Sequence, residues 1–505
     1  MKRILSSERS SAAIIGVCAF YVGVRLWGLT DPCLWFDEIF GVHAAEHTWR
    51  GLLSFIAQDL IHPPLFYLLL KIWIAIGGES LLWLRLFPVL FSVLALFPFL
   101  LVCRELKLKT QTIIIALLLL AVNGALIKYA QEVRMYSLLL FFSLMSIWLF
   151  SRYFIKGKSF TALIFVNILL VHTHYFGWLV VGSEVVAILI FQRIKIRQTL
   201  LMFALTFASF VPWMIAIYRA TTTGSELEQN IGWIERPGIT QIVQFVFDLI
   251  EPFYFQASNA EPASLYYISI PFLLLIAVVK ITYFIHWREA DDKQEVYFLA
   301  IFIGAPILMA FTASWFLPHS IWGSRHLIII YPPTLILIAM LLTDISGVIL
   351  RWIVLITIVF IIASALVLQL ARPRAEYVWC SWEKAAETIA QTAPGPTPVY
   401  TFEDLSAYHL WFALRRDERF QVFKIDGING ISEDKAYFLP RGFDGVKRID
   451  IGEVAKSPSF IVFRDSQFNK KRRPLLQVFS DIGFEWKPVG SIYARSQKTF
   501  IVKVY

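Results

Sequence analysis

The sequence is poor in charged residues. Asp, Glu, Lys and Arg together make up 16% of the 505 residues, whereas hydrophobic residues make up 57%. A soluble globular chain has about 25% charged residues. Several apolar runs are long enough to cross a bilayer, and they are continuous rather than alternating, which indicates helices and not the strands of a barrel. The sequence therefore predicts a polytopic α-helical membrane protein.

Cysteine is also scarce. The four cysteines are Cys18, Cys33, Cys103 and Cys380, with no CxxC pair and no metal-type spacing. Cys18 and Cys103 fall in apolar runs and are predicted to be packing residues. Cys33 and Cys380 both fall on the predicted outer side of the membrane, which permits a disulfide but does not require one.

No internal repeat, low-complexity segment or signal-peptide cleavage site is visible in the sequence. The missing repeat argues against a secondary transporter. The missing cleavage site predicts that the first apolar run, near 12–29, is an uncleaved helix whose N-terminus lies in the cytoplasm. The net charge of +9 comes from short Lys and Arg clusters between apolar runs, a pattern typical of cytoplasmic loops rather than of nucleic-acid binding.

The run LFYLLLKIWIAIGG after Pro64 decides the topology. It is short and interrupted by Lys71, and we predict an interfacial helix rather than a span. The basic residues near 104–109 then lie in the cytoplasm together with the later basic clusters. The predicted spans, about eleven in number, lie near 12–29, 81–103, 111–127, 136–154, 160–174, 176–192, 199–218, 266–286, 296–316, 327–345 and 350–371.

This topology predicts two domains. Residues 1–371 form a transmembrane domain with external loops at 30–80 and 219–265. The second loop carries Trp233 and the stretch ITQIVQFVFDLI, which predicts an amphipathic interfacial helix. Residues 372–505 are mixed in charge with turn signals and predict an extracytoplasmic α/β domain. Its predicted helices are SWEKAAETIAQT and FEDLSAYHLWFAL, and its predicted strands are TPVYTF, SFIVFR and TFIVKVY.

Polar residues collect at the predicted outer ends of the helices. Ionisable residues at membrane depth are costly and are functional candidates. A carboxylate pair suits a general base, because burial can tune one member while the other holds the geometry. Arginines pair bidentately with phosphate, which suggests a phosphorylated lipid substrate. The candidates are Asp37, Glu38, His62, Glu132, Arg134, Tyr136, His174, Tyr175, Arg325 and His326.

Each candidate also has a purely structural interpretation. Asp37 and Glu38 suit the positive end of a helix dipole, and Glu132 with Arg134 suits a local ion pair. His62, before two prolines, suits a helix start. What favours function is the convergence of all of them on one face of the membrane.

The motifs WFDE, HPPLFYLLLKIW, ESLLWLRLFPVLFSVLALFPFLLVCREL, YAQEVRMYSLLLFFSLMSIWLF, HTHYFGWLV and GSRHLIIIYPPTLIL follow one another over roughly residues 12–345. In this order they resemble the GT-C-type integral-membrane glycosyltransferases of the protein-mannosyltransferase-like (family 39-like) group. The resemblance implies a GT-C-like fold and a polyprenyl-phosphate-sugar donor, which members of the group usually invert at the anomeric carbon.

The resemblance also implies a role for each matched residue. Asp37 matches the motif aspartate, the expected general base, and Glu38 matches the second acid. Arg134 and Arg325 match positions expected to bind the donor phosphate. The expected cavity residues are His62, Glu132, Tyr136, His174, Tyr175 and His326. The resemblance leaves open a divalent cation near the acids, but no residue is predicted as a metal ligand and no other cofactor is implied.

The combined prediction is an inverting glycosyltransferase of a bacterial inner membrane, with the active site and the C-terminal domain facing the periplasm. Its predicted partners are the polyprenyl-phosphate sugar, the bilayer and a lipid, glycan or protein acceptor, and nucleic acid is not among them. The alternative is a non-catalytic scaffold or a transporter in envelope glycan assembly. The sequence leaves the sugar, the acceptor and the oligomeric state open.

Overall fold

The computed structural model describes most of the chain. The described residues are 8–192, 195–222, 230–232, 234–253, 270, 274, 277, 293–345, 347–371, 380–426, 437–454, 458–464, 485–494 and 497–504. The predicted span near 266–286, apart from three single residues, and Trp233 lie outside them.

The described residues form two compact units. The first contains the residues up to Leu29 and those between Ala45 and Arg372. The second contains Thr30–Ala44 together with the residues after Pro373. The segment that carries Asp37 and Glu38 therefore belongs to the unit of the C-terminal domain.

The chain up to Arg372 is helical. In chain order, its described helices are α1 (Glu8–Leu26), α2 (Phe36–Glu46), α3 (Trp49–Asp59), α4 (Leu65–Gly77), α5 (Leu81–Leu94), α6 (Leu96–Glu105), α7 (Thr110–Val122), α8 (Gly124–Gln131), α9 (Tyr136–Lys156), α10 (Phe160–Thr173), α11 (Gly177–Phe191), α12 (Ile196–Thr222), α13 (Ile239–Ile250), α14 (Lys293–Phe316), a 3₁₀ helix (His326–Ile330), α15 (Tyr331–Thr343) and α16 (Val348–Ala371).

Six stretches of helix in the described residues are long and apolar enough, by length and composition, to cross a membrane. They are Leu81–Glu105, Tyr136–Lys156, Ile196–Thr222, Lys293–Phe316, His326–Thr343 and Val348–Ala371. Shorter apolar helices are Ser11–Leu26, Leu65–Gly77, Thr110–Val122, Phe160–Thr173, Gly177–Phe191 and Ile239–Ile250. The chain is thus a multi-pass helical membrane protein, as the sequence predicted, and the number of spans stays a prediction.

Helix α4 is the segment that decided the predicted topology. Its 13 residues give a length of about 20 Å, short of the roughly 30 Å of a hydrocarbon core. Lys71, which interrupts the apolar run, donates from Nζ to the carbonyl oxygens of Ala45 (2.7 Å) and His47 (2.6 Å). The ammonium group thereby satisfies backbone acceptors at and just beyond the end of α2. These contacts explain a lysine here, and the interfacial position of α4 stays a prediction.

The predicted span near 111–127 is divided at Asn123. The side-chain oxygen of Asn123 accepts from the Leu126 N–H at 2.9 Å, which caps α8. Its Nδ2 donates to the Leu249 carbonyl at 3.0 Å, and the Gly124 N–H donates to the Glu251 carbonyl at 2.9 Å. An asparagine that caps and bridges in this way ends one helix and begins the next.

Helices α9, α10 and α11 share a buried polar ring. Ser146 Oγ lies 2.7 Å from Asn167 Oδ1 and 2.6 Å from Glu184 Oε1, and Asn167 Nδ2 lies 2.7 Å from Glu184 Oε2. Three contacts need three hydrogens, but the hydroxyl and the amide supply only one each to the ring, whichever way the amide is turned. The third hydrogen must come from a protonated Glu184. The ring is therefore neutral, which suits its burial.

Replacing Glu184 by glutamine should leave stability almost unchanged, within about 0.5 kcal/mol. The glutamine amide supplies the third hydrogen and keeps the ring closed. Replacing it by leucine should cost about 1–3 kcal/mol, because the Ser146 and Asn167 side chains would each lose a buried partner. Thermal unfolding of both variants in nanodiscs checks this. Equal destabilisation by the two substitutions would contradict a neutral Glu184.

The C-terminal domain, within the second unit, is built on a six-stranded sheet of order β3-β2-β1-β4-β6-β5. The strands β1, β2, β3 and β4 are parallel, and β6 runs antiparallel to β4 and β5. The elements are α17 (Cys380–Thr392), β1 (Thr397–Thr401), α18 (Asp404–Leu414), β2 (Phe420–Asp426), β3 (Val446–Asp450), a 3₁₀ turn (Ile451–Glu453), β4 (Ser459–Arg464), β5 (Trp486–Ala494) and β6 (Gln497–Val504).

Two hydrophobic clusters pack against the sheet, one on each face. One contains Trp382, Ala386, Ile389 and Leu410 from α17 and α18 together with Val399 and Phe460 from β1 and β4. The other contains Tyr400, Phe402, Ile461 and Phe463. Successive strand residues alternate between the clusters, as side chains on a pleated sheet must. The predicted α/β class, both predicted helices and all three predicted strands are confirmed.

Candidate active site

His62 lies in the short turn between α3 and α4. Leu60 ends α3 in a left-handed conformation with φ 64°, and Pro64 precedes α4. The hydroxyl of Tyr175 donates to the Leu60 carbonyl at 3.2 Å and accepts from Trp213 Nε1 at 3.3 Å. Tyr175 thus stabilises the turn in which the buried His62 lies.

Arg134 lies in the segment between α8 and α9. Buried Arg85, on α5, donates from Nη1 to the Gln131 carbonyl at the end of α8. The Gln131 side chain donates to the carbonyls of Arg25 (3.0 Å) and Trp27 (2.8 Å) at the end of α1. The Arg134 side chain is itself buried. Contacts with α5 and with the end of α1 therefore hold Gln131, just ahead of Arg134, in place.

Glu132, two residues before Arg134, faces a different partner. Its carboxylate Oε1 lies 3.9 Å from Lys128 Nζ, one turn back in α8. Its carbonyl accepts from the Arg134 N–H at 2.7 Å. This carboxylate thus contacts a lysine of α8, the helix that ends just before it.

The contact between Arg134 and His62 fixes a tautomer. Arg134 Nη2 lies 3.4 Å from His62 Nε2, and a guanidinium can only donate. His62 Nε2 must therefore accept, which leaves the ring hydrogen on Nδ1. That atom lies 3.7 Å from Asp59 Oδ2, beyond hydrogen-bonding distance.

His174 lies in the turn between α10 and α11. Its Nδ1 accepts from the Phe176 N–H at 3.1 Å, so its ring hydrogen is on Nε2. Among the described residues this Nε2 has no hydrogen-bond partner. The turn needs a glycine at 177, because a Cβ there would lie 2.7 Å from the Leu170 carbonyl oxygen. His174 thus presents one buried N–H donor that the described protein groups leave available.

The three histidines and Tyr136 form one cluster. The His174 ring lies 5.5 Å from that of His62 and 5.2 Å from that of His326. Tyr136 lies 6.4 Å from His174 and 6.3 Å from His326 between ring centroids. The Tyr129 ring packs at 5.0 Å from Tyr136. Motifs more than 250 residues apart in sequence thus meet at one place in the first unit.

Burial lowers the pKa of His62 well below 6.5, and the charges of Arg134 and Arg325 lower it further. The pKa of His174 is lowered well below 6.5 chiefly by burial, then by His62 and the same two arginines. Both rings are therefore neutral near pH 7. Arg325, half-buried ahead of the 3₁₀ helix, contributes positive potential to the cluster together with Arg134.

Acidification should destabilise the folded protein. Because the folded-state pKa values of His62 and His174 lie below the unfolded value near 6.5, the unfolded state binds more protons and stability falls as pH falls below about 6.5. At pH 5.5 the loss should be about 1.4 kcal/mol per histidine. Thermal unfolding at pH 7.5 and 5.5 measures it, with His62→Gln/His174→Gln as the control that lacks both groups. A variant with the same pH dependence as the wild type would contradict this assignment.

Asp37 and Glu38 begin α2 in the second unit. The buried Glu38 accepts the Trp35 N–H on Oε2 at 3.0 Å, which satisfies an amide at the start of the helix. Asp37 is half-buried. The Glu38 side chain therefore stabilises the start of α2. Asp37 is the acid with the greater access to solvent.

Arg85 and Tyr129 were not among the sequence candidates. Arg85 lies inside the apolar run LLWLRLFP, and a charged residue in such a run is itself a functional signal. Tyr129 carries no such signal, because a tyrosine near a membrane surface is common. No group of three or more His, Cys, Asp or Glu side chains in the described part of the chain is arranged to hold a metal ion.

Comparison with solved structures identifies the fold. The structure resembles the crystal structure of ArnT from Cupriavidus metallidurans bound to undecaprenyl phosphate, with a TM-score of 0.61 and 13% identity over 97% of this chain and 97% of that chain. ArnT from the same organism in the apo state gives a TM-score of 0.61 and 13% identity over 98% of each chain. No protein-family model and no curated protein sequence matches the chain.

A third solved structure, the apo oligosaccharyltransferase of Archaeoglobus fulgidus, matches with a TM-score of 0.46 and 14% identity over 81% of this chain and 64% of that chain. At that score it adds nothing to the assignment, which depends on the two ArnT structures. At 13% identity they show the fold alone. The chain has the GT-C-type membrane fold that the motif resemblance predicted, and function must be argued from the site.

Proposed function

We propose that the chain is an inverting glycosyltransferase that moves a sugar from a polyprenyl-phosphate donor to an acceptor on the outer face of the membrane. The observation that carries the proposal is the cluster around Arg134. A buried guanidinium, a second arginine and two neutral histidines suit one negatively charged group better than a neutral one. A phosphate linked to a lipid chain is such a group.

Arg134 and Arg325 are proposed to bind the donor phosphate, and His174 Nε2–H to donate a third hydrogen bond. His62, neutral and accepting from Arg134, orients the guanidinium without adding charge. Tyr136 and His326 line the same cluster, while Glu132 and Tyr175 support the segments that carry it. One ArnT structure of the same fold holds undecaprenyl phosphate, and we extend that kind of ligand to this chain as part of the proposal.

Asp37 is proposed as the general base. It removes the proton from the acceptor as the acceptor attacks the anomeric carbon, the sugar–phosphate bond breaks, and the lipid phosphate leaves with the bonding electrons. The arginines stabilise the charge that develops on the leaving phosphate, which is the main electrostatic contribution. Glu38 fixes the start of α2. A single displacement of this kind inverts the anomeric carbon.

The disulfide between Cys33 and Cys380 supports an outer location for the second unit. Disulfides persist in oxidising compartments, such as the bacterial periplasm, and are rare in the cytosol. The Lys and Arg clusters of the predicted cytoplasmic loops favour the same orientation. We therefore propose that Asp37, the C-terminal domain and the acceptor all lie on the periplasmic side of an inner membrane.

A binding experiment tests the donor class. Purified protein in nanodiscs is exposed to a panel of polyprenyl-phosphate sugars, and the change in unfolding temperature is measured for the wild type and Asp37→Asn. We expect one donor to stabilise both proteins, because Asp37 acts on the acceptor. Folded protein that responds to no donor would favour a scaffold or a transporter.

A further inference from the structure

The helix that carries the two acids is tied to the C-terminal domain by a covalent bond. Cys33, three residues before α2, forms a disulfide with Cys380, the first residue of α17. Cys33 is buried, and its own N–H points at Cys380 Sγ at 3.2 Å. The bond joins residues 347 positions apart. A crosslink over so long a separation strongly restricts where the segment can lie.

A second attachment lies at the other end of the same helix. The His43 ring sits among Trp411, at 4.6 Å, Phe443, at 5.1 Å, and Tyr408, at 5.9 Å between centroids. His43 Nδ1 lies 2.9 Å from the Tyr408 hydroxyl, which is buried with it. Tyr408 and Trp411, one turn apart on α18, stack with an interplanar angle of 3°. The His43 ring therefore lies within an aromatic cage, and its Nδ1 makes a polar contact with the Tyr408 hydroxyl.

Phe36 supplies the third attachment. Its ring lies 5.2 Å from Tyr408 and 5.0 Å from Tyr437. Phe36 and His43 are seven residues apart and so lie on the same face of α2. Asp37 and Glu38 fall between the two anchored positions, and Glu38 is bound to the backbone of Trp35. Helix α2 is thus attached near both of its ends.

We propose that the C-terminal domain is the positioning element for Asp37, and that the Cys33–Cys380 disulfide makes this positioning sensitive to reduction. The inference rests on the proposed function for its catalytic consequence. Reduction frees the segment before α2, and the acid at its first turn moves relative to the reacting atoms. Misplacement of a catalytic group by about 1 Å costs on the order of 100-fold in rate. Donor binding through Arg134 and Arg325 does not depend on this attachment.

The test uses the full chain in a Cys18→Ser/Cys103→Ser background, because these are the two free cysteines. After reduction an alkylating reagent then labels only Cys33 and Cys380, and the gain in mass confirms full reduction of their disulfide. Amide hydrogen exchange of residues 36–44 and the kcat and donor KM of sugar transfer are measured before and after reduction. We expect exchange to rise about tenfold or more, kcat to fall about 100-fold and donor KM to stay unchanged.

A conservative variant keeps the inference testable without reduction. Tyr408→Phe retains the ring stacking but removes the hydroxyl that contacts His43, and it should lower kcat several-fold without changing donor KM. Tyr400→Phe, in the hydrophobic cluster of the opposite sheet face, is the matched control and should leave kcat unchanged.

Three outcomes would overturn the inference. Unchanged exchange after full reduction would show that the disulfide does not hold α2. Faster exchange with unchanged kcat would show that the attachment does not position the acid. A parallel loss of donor binding would show that reduction disrupts the fold rather than the geometry. If the oxidised wild type transfers no sugar at all, the proposed function fails, and exchange alone then decides whether the domain anchors the helix.

Discussion

Replacing Asp37 by asparagine should lower the rate of sugar transfer by about 10²–10⁴-fold, the range that a positioned general base contributes. Asparagine has the same shape but cannot accept the acceptor's proton. Donor binding should be unchanged, because the donor phosphate is assigned to Arg134 and Arg325. The effect should therefore appear in kcat, and it is measured with a labelled polyprenyl-phosphate sugar at saturating donor.

Asp31 offers the matched control for this substitution. It lies in the same segment and is exposed, so Asp31→Asn should leave kcat unchanged. Glu38→Gln should reduce kcat less than Asp37→Asn does, because a glutamine oxygen can still accept the Trp35 N–H. A larger loss in Glu38→Gln than in Asp37→Asn would reverse the roles assigned to the two acids.

Replacing Arg134 by alanine should weaken donor binding by about 30-fold or more, since truncating one partner of a buried charged contact typically costs about 2–5 kcal/mol. The substitution removes positive charge from a buried site and also leaves His62 Nε2 without its donor. Loss of donor-dependent thermal stabilisation is the measurement. Arg134→Lys should recover only part of the affinity, because an ammonium group cannot reproduce a bidentate contact.

Arg236→Ala is the control that shows whether the loss of any one positive charge weakens donor binding. Arg236 is exposed in the loop ahead of α13, and its loss should leave donor binding unchanged. Equal losses in Arg134→Ala and Arg236→Ala would show that the arginines act only through the net charge. Intact donor binding in Arg134→Ala would remove the phosphate site from the cluster around His62.

Much of the fold follows from local sequence patterns. Continuous apolar runs predicted helices such as Tyr136–Lys156 and Val348–Ala371 within a few residues, because a lipid-exposed backbone must satisfy its own hydrogen bonds. The strand SFIVFR was recognisable because its central residues, FIVF, form a continuous apolar run. The strands Phe420–Asp426 and Val446–Asp450 were not predicted, since each mixes charged residues with the apolar ones and gives a weak pattern.

Features that depend on long-range contacts could not be predicted from local patterns. The helix break at Asn123 depends on partners at Leu249 and Glu251, and nothing near Asn123 in the sequence indicates them. The disulfide was permitted by topology, and the structure confirms it. The cage that Tyr408 and Trp411 form around His43 involves residues more than 360 positions away.

In the candidate site, too, sequence motifs identified some features and only the structure could show others. Motif resemblance selected His62, Arg134 and His174, and the structure brings these three together in the first unit. The tautomers of His62 and His174 needed atomic contacts, because only the partner of each ring nitrogen settles which one carries hydrogen. The support of the Arg134 segment by Arg85 was missed, although an arginine within an apolar run was visible in the sequence.

The proposed sugar transfer is tested by following the fate of the donor. Wild-type protein in nanodiscs is given the polyprenyl-phosphate sugar that stabilises it, with a panel of lipid, glycan and protein acceptors, and free polyprenyl phosphate and the anomeric configuration of the transferred sugar are measured. We expect release of one lipid phosphate for each sugar transferred, with an inverted anomeric carbon and dependence on Asp37. A donor that binds but is never consumed, across the whole acceptor panel, would contradict the proposed transfer and indicate a scaffold.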